Sequence, residues 1–159
     1  MLAVPAQTAA KYEIVSLEDN GFAINNARQI AGPRPSIWQN GVTTSLPVPG
    51  FGAYTLSIND AGLIAGTSAP FEFDFFIRHA FIINSDGSRY LQLPMLNYAS
   101  SQARGVNNNG LVVGRLYSSN AFPRVYGKSF IWDATDGLRT LAPPTSLESE
   151  ATAVLALSA

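Results

Sequence analysis

The chain contains no cysteine, so disulfide staples, thiolate nucleophiles and cysteine-ligated metals are excluded at the outset. Histidine occurs once, as His79, and a lone histidine makes a poor metal site. Charge is scarce: 13% of residues are charged, about half the usual share, and ten basic against eleven acidic residues leave a formal charge of −1. Phosphate neutralisation needs a basic face, so nucleic acid is excluded as a partner. No uncharged apolar stretch reaches the roughly eighteen residues of a spanning helix, which argues against membrane insertion. Helical periodicity is missing as well, for no window of about eleven residues keeps it.

What the sequence does have is apolar content and repetition. Apolar residues make up 47% of 159, enough for one compact domain burying about two-thirds of its unfolded surface. Residues 1–12 read as an N-terminal tail. Met1 to Ala10 lack a basic start, yet small residues at Thr8 and Ala10 match the end of a secretory cleavage site, so a signal-peptide remnant is expected. An ordinary loose terminus is the alternative. Residues 13–159 read as a single β-repeat domain.

The repeat is direct. Ala23-Ile24-Asn25-Asn26-Ala27-Arg28-Gln29-Ile30-Ala31-Gly32 recurs as Ser57-Ile58-Asn59-Asp60-Ala61-Gly62-Leu63-Ile64-Ala65-Gly66, and again as Gly105-Val106-Asn107-Asn108-Asn109-Gly110-Leu111-Val112-Val113-Gly114. A second shared stretch follows each copy (Ser36-Ile37-Trp38, Ala80-Phe81-Ile82-Ile83, Ser129-Phe130-Ile131-Trp132) and leads to Asn40-Gly41, Asp86-Gly87 or Asp136-Gly137. The units run about 13–47, 48–94 and 95–143, with a partial fourth at 144–159, where Glu150 to Val154 matches Gln102 to Val106. A self-similar period of this length marks a stacked or radial array.

Within each unit the polar quartet, Asn59 to Gly62 for example, lies between β-branched runs and is expected to be a tight hairpin connection. Its Asn is expected to accept from the backbone two residues on, and its Gly to supply a positive φ. Arg28 stands in the Gly place of the first copy, where a left-handed residue costs on the order of 1 kcal/mol or forces another turn, so that copy should be looser there. Two hairpins give four strands per unit, at 103–106, 111–116, 129–132 and 138–141 in the third copy. The fold class is therefore all-β, with repeated four-stranded antiparallel blades that are β-propeller-like; a β-solenoid is the alternative. Closed propellers have about four to eight blades, so the units are expected to close through the C-terminal strand around 151–157 or through homo-oligomerisation, or else to belong to a longer array.

The paired Ile-Asn-Asn-Ala and His-Ala-Phe elements, at Ile24 to Gly32, Ile58 to Gly66 with His79-Ala80-Phe81, and Val106 to Gly114 with Ser129-Phe130, resemble the HAF family of bacterial extracellular repeats. Two copies depart from the triplet, with Pro35-Ser36-Ile37 and Lys128-Ser129-Phe130. The resemblance implies an exported protein, secreted, periplasmic or at the cell surface, made of repeated β units.

Chemistry is thinly represented. His79 begins a strand, facing Pro35 and Lys128 in the other copies, and reads as structural. Asp60, Asp86 and Asp136 sit in turns, where an Asx cap is their expected work. Asn25, Asn59 and Asn107 lack the neighbouring carboxylates of a calcium loop and read as hairpin turns. Trp38 and Trp132 recur at one repeat position, filled by Ile83 in the middle copy, and read as core. Alternation puts Glu72 and Asp74 on one face with Phe71, Phe73 and Phe75 on the other, an amphipathic edge. No catalytic constellation emerges, so the chain reads as a non-enzyme without cofactor or metal; a hydrolase using Glu72, Asp74 and His79 is a minor alternative. The loops after the second strands, 69–78 and 118–127, concentrate rings and arginines. Phe71, Phe73, Arg78, Arg124 and Tyr126 are therefore the candidate ligand-binding residues, suited to a glycan or a protein. The leading reading is an exported binding or interaction module, the alternative a purely structural, oligomerising repeat.

Overall fold

The structure, a computed structural model, describes residues 14, 16, 17, 20–70, 72, 77–118 and 126–141. Among these residues every regular element is a strand, and the twelve strands form three four-stranded antiparallel sheets. The first sheet contains β1 (Ala23–Ile24), β2 (Ile30–Ala31), β3 (Ser36–Gln39) and β4 (Val42–Ser45). The second contains β5 (Phe51–Ile58), β6 (Leu63–Ala69), β7 (His79–Asn84) and β8 (Tyr90–Gln92). The third contains β9 (Ser100–Val106), β10 (Val112–Tyr117), β11 (Tyr126–Asp133) and β12 (Gly137–Leu141), each overlapping the strand expected from sequence. Each sheet is a meander in which sequence neighbours pair, the topology that short hairpin turns produce. No helix of the described residues is long and apolar enough to cross a membrane.

Register makes the three units superposable. Ile24 pairs with Ile30 and Ile30 with Trp38; Ile58 pairs with Ile64 and Ile64 with Ile83; Val106 pairs with Val112 and Val112 with Trp132. Directly opposed residues share a face of the sheet, so these trios mark one front face per unit. The backs carry Ala31 with Ile37, Ala65 with Ile82, and Val113 with Ile131. The same register sets His79 level with Arg34 and Lys128, correcting Pro35 by one residue, because Phe81 and Phe130 align with Ser36.

The sheets stack front to back. Ala31, Ile37 and Leu46 on the back of the first sheet form one core with Ile58, Ile64, Phe81 and Ile83 on the front of the second. Ala65, Ala80, Ile82 and Leu93 on the back of the second form another with Val106, Val112, Phe130 and Trp132 on the front of the third. The inner strands mediate the stacking, for β1 and β2 pack on β5, and β9 packs on β5, β6 and β7. Burial of these aliphatic and aromatic groups is the main stabilisation available to a chain without staples. The glycine that ends each first hairpin has a packing cause. A Cβ on Gly66 would lie 2.6 Å from the Phe81 ring and 2.2 Å from the Tyr54 carbonyl oxygen, and one on Gly114 would lie 2.7 Å from Phe130. Only hydrogen leaves room for these rings.

The polar quartets form the same turn three times. The N–H of Arg28, Gly62 and Gly110 donates to the carbonyl of Asn25, Asn59 and Asn107 at 3.1, 3.0 and 3.0 Å. Gly62 and Gly110 have φ of +77°, and Arg28 adopts +59° in their place, so the first copy keeps the turn and accepts the strain. The Asn side chains act differently from expectation. Their Oδ1 accepts from the residue four positions on, from the N–H of Gln29, Leu63 and Leu111 at 2.9, 2.8 and 2.9 Å; only Asn107 also accepts from two residues on, at 3.0 Å. That longer reach closes the mouth of the hairpin and leaves the carboxamide nitrogens of Asn25 and Asn59 pointing at the next sheet. Asn25 Nδ2 donates to the Asn59 carbonyl at 2.9 Å, and Asn59 Nδ2 to the Asn107 carbonyl at 2.8 Å. All three asparagines are buried. At the tips the exposed second residues repeat the link: Asn26 N–H and Nδ2 donate to Asp60 at 2.8 Å each, Asp60 N–H donates to Asn108 Oδ1 at 2.9 Å, and Asn108 Nδ2 returns to Asp60 at 2.7 Å.

Candidate functional site

Strand direction sends the quartet turns to one rim of the stack and the long second-to-third strand connections to the other. Phe51 pairs with Ala69 and Ser68 with His79, so the start of β5, the end of β6 and the start of β7 lie together on this second rim. Tyr117 pairs with Ser100 and Tyr126 there in the third sheet. Of the five sequence candidates, Phe71, Phe73 and Arg124 lie outside the described residues, as does the side chain of Tyr126, whose backbone begins β11. Arg78 is described, half-buried, immediately before β7.

Arg78 is held at both ends. Its backbone N–H donates to Ser100 Oγ at 2.9 Å, the Ser100 hydroxyl donates to the Arg78 carbonyl at 3.0 Å, and Ser101 N–H donates to the same carbonyl at 2.7 Å. Ser101 Oγ in turn accepts from Ala80 N–H at 2.9 Å, so the third sheet fixes the start of β7. The guanidinium donates through Nη1 to the Gly52 carbonyl and stands 5.3 Å above the centroid of the Tyr54 ring. An arginine so placed is attracted to the π face and stiffened by it. Among the described residues no carboxylate pairs with Arg78 or with Arg34, the two cations of this region; the ion pairs belong to Arg139 with Asp133 and Asp136.

Tyr54 is 41% exposed and Phe51 47%, both on the outer stretch of β5. Beside them a groove of about 610 Å³ runs between the first and second sheets, lined by Pro33, Arg34, Pro35, Val48, Gly52 and Tyr54 among others. Prolines stiffen one wall, and the ring held by Arg78 forms part of the other. Aromatic and Arg groups thus adjoin on this rim, though the described ring partner is Tyr54 rather than a residue of the β6–β7 connection. The Gly50-Phe51-Gly52 run was the available signal for it: an aromatic between two glycines at a strand start is out of keeping with a buried β5.

The acidic candidates separate. Glu72 is exposed in a turn and not on a strand, so the alternation expected for it does not hold there, and Asp74 lies outside the described residues. His79 is half-buried, paired with Ser68 as the first residue of β7. Among the described residues no group of three or more His, Asp or Glu gathers as a metal site would require. Of the carboxyls expected to cap turns, Asp86 caps its own, Asp60 instead accepts from the neighbouring turns, and in the third unit the cap is Asp133, the last residue of β11, in place of Asp136. Asp60 is held below the ordinary carboxylate range by the Asn26 backbone N–H and the Asn108 amide, Asp86 by the Ser88 hydroxyl and N–H, and Asp133 by the N–H groups of Asp136 and Thr135 with help from Arg139.

No family model, no curated protein and no solved structure matches the chain.

Proposed function

We propose that the chain is a binding module of propeller-like blades, exported in keeping with its resemblance to the HAF repeats, and that it takes a glycan on the rim opposite the asparagine turns. The observation that carries this reading is the Arg78–Tyr54 pair beside the groove, a preset aromatic face with a cation behind it. A pyranose stacks its C–H face on such a ring, while the Arg34 guanidinium and the backbone carbonyls along the wall take its hydroxyls. Phe71, Phe73, Arg124 and the Tyr126 side chain, which lie outside the described residues, remain candidates for the same ligand. On this reading the module binds its ligand without turnover.

The test is a glycan array probed with the folded chain, followed by affinities of Tyr54→Ala and Arg78→Ala. Binding to one glycan class is expected, with about tenfold loss in Tyr54→Ala, the effect of roughly 1.4 kcal/mol. No binding by a folded sample contradicts the glycan reading. Full affinity in Tyr54→Ala contradicts the assignment of the groove.

A further inference from the structure

The front faces of the second and third sheets are covered by the sheet that precedes each. Among the described residues, no sheet covers the front of the first sheet. We infer that this face is a docking surface for a further repeat unit of the same type, a conclusion that does not rest on the rim reading above.

Equivalent positions show the difference. Ile58 is 7% exposed and Val106 8%, whereas Ile24, at the same place in the repeat, is 65% exposed. Trp38 is half-buried where Ile83 and Trp132 are buried, and Ile30 half-buried where Ile64 and Val112 are buried. Leu17 and Asn20 reach over the end of this face near Gly32 and Ser36, leaving the turn end with Ile24 open.

The polar half of the interface is open too. The Asn59 carbonyl accepts from Gly62 N–H and from Asn25 Nδ2; the Asn107 carbonyl accepts from Gly110 N–H and Asn59 Nδ2. The Asn25 carbonyl accepts from Arg28 N–H, and no described residue donates to its second lone pair. Asn26 Oδ1 likewise stands where Asp60 Oδ1 and Asn108 Oδ1 each accept a backbone N–H from the preceding turn. The ladder has one direction, with donors pointing to the following unit, so the first unit ends it in acceptors.

The occupant is fixed by that code. It brings a turn led by Asn, whose Nδ2 donates to the Asn25 carbonyl and whose second residue gives its N–H to Asn26 Oδ1. Its back carries an Ala and an Ile, as at Ala65 and Ile82, to cover Ile24 and Trp38. This continues an interface the chain already builds twice, and the arrangement is heterologous, head to tail.

The probe is a duplicate of residues 50–99 fused ahead of Met1, leaving the full chain intact behind it. Trp132 is buried, so acrylamide quenching of tryptophan reports on Trp38. Docking is expected to reduce quenching to the level of a buried indole. It is also expected to make Ile24→Ser, silent in the parent chain, lower the melting temperature of the fusion. Replacing the duplicated Asn59 by Ala should reverse part of the protection. Unchanged quenching with Ile24→Ser silent in both proteins overturns the inference. So does a duplicate that stays unfolded beside an intact parent, because the face would template it as the first sheet templates the second. Self-association of the parent that Ile24→Ser abolishes also overturns it, in favour of a second copy on this face.

Discussion

Replacing Asn59 by alanine removes three things at once from the centre of the stack. Its Oδ1 is the partner of Leu63 N–H at 2.8 Å, and its Nδ2 is a partner of the Asn107 carbonyl at 2.8 Å. Leu63 N–H is left without that acceptor at the mouth of the turn, a loss worth about 1–3 kcal/mol when water cannot replace it. The Asn107 carbonyl keeps Gly110 N–H at 3.0 Å, so the second loss is an ordinary net hydrogen bond of about 1 kcal/mol. Asn59 itself is 5% exposed, and the cavity left by its carboxamide adds to the cost. The sum is about 2–4 kcal/mol, or roughly 5–15 °C in melting temperature for a domain of this size. The assay is urea and thermal unfolding followed by circular dichroism, with m-values compared to show that the unfolded state is unchanged. Asn25→Ala is the internal control. It removes the matching bonds to Gln29 N–H and the Asn59 carbonyl from a side chain that is equally buried, so a comparable cost of about 2–4 kcal/mol is expected. An Asn59→Ala protein within about 0.5 kcal/mol of the parent, the scatter of neutral surface changes, refutes the reasoning. An Asn25→Ala protein as stable as the parent refutes the claim that the first link of the ladder holds the first sheet on the second.

Gly66→Ala forces a methyl against the Tyr54 carbonyl and the buried Phe81 ring and should cost about 3 kcal/mol or prevent folding, whereas Gly32→Ala meets the Ser36 hydroxyl at 2.6 Å, which can rotate away, and should cost under about 1 kcal/mol by the same unfolding assay. Arg28→Gly should stabilise the chain by up to about 1 kcal/mol, since the exposed Arg28 holds φ at +59° in a turn that Gly62 and Gly110 make without strain; destabilisation would show that Arg28 has a role beyond the turn. Acid should loosen the turn tips. The Asp60 carboxyl is held down by Asn26 and Asn108, so its folded value lies below its unfolded value; the stabilisation is complete above the unfolded carboxylate range near ~3.9 and is lost as pH falls through the folded value. An NMR titration of the Asp60 side chain checks this, with the midpoint rising only part of the way to the ordinary range when Asn26 and Asn108 are both alanine, because the Asn26 backbone N–H still donates.

Strands and pairing were legible because the repeat reports them three times over. A run such as Leu111 to Leu116 between Asn-led turns has few alternatives to a hairpin, and the period fixed which residues are equivalent before any register was known. The asparagines were legible only in part. Their turn role follows from local spacing, but the donation of Nδ2 to the next sheet depends on stacking order, which spacing within one unit cannot express. Its trace in the sequence is that Asn25, Asn59 and Asn107 remain amides while the neighbouring turn positions vary. Arg78 was legible as an arginine on a variable rim, and Tyr54 was not, because β5 reads as an inner strand and its bulge-interrupted pairing with β6 turns its outer end toward solvent. Glu72 misled because period-two alternation was read where the chain makes a turn.

The central claim is that consecutive repeat units are tied through their asparagine turns. Through-hydrogen-bond NMR correlation on the isotope-labelled chain tests it most directly. Correlations from Asn25 Nδ2 to the Asn59 carbonyl carbon and from Asn59 Nδ2 to the Asn107 carbonyl carbon are predicted, with slow exchange of both carboxamide groups. Absence of both correlations, with side-chain amides exchanging at solvent rates, would contradict it.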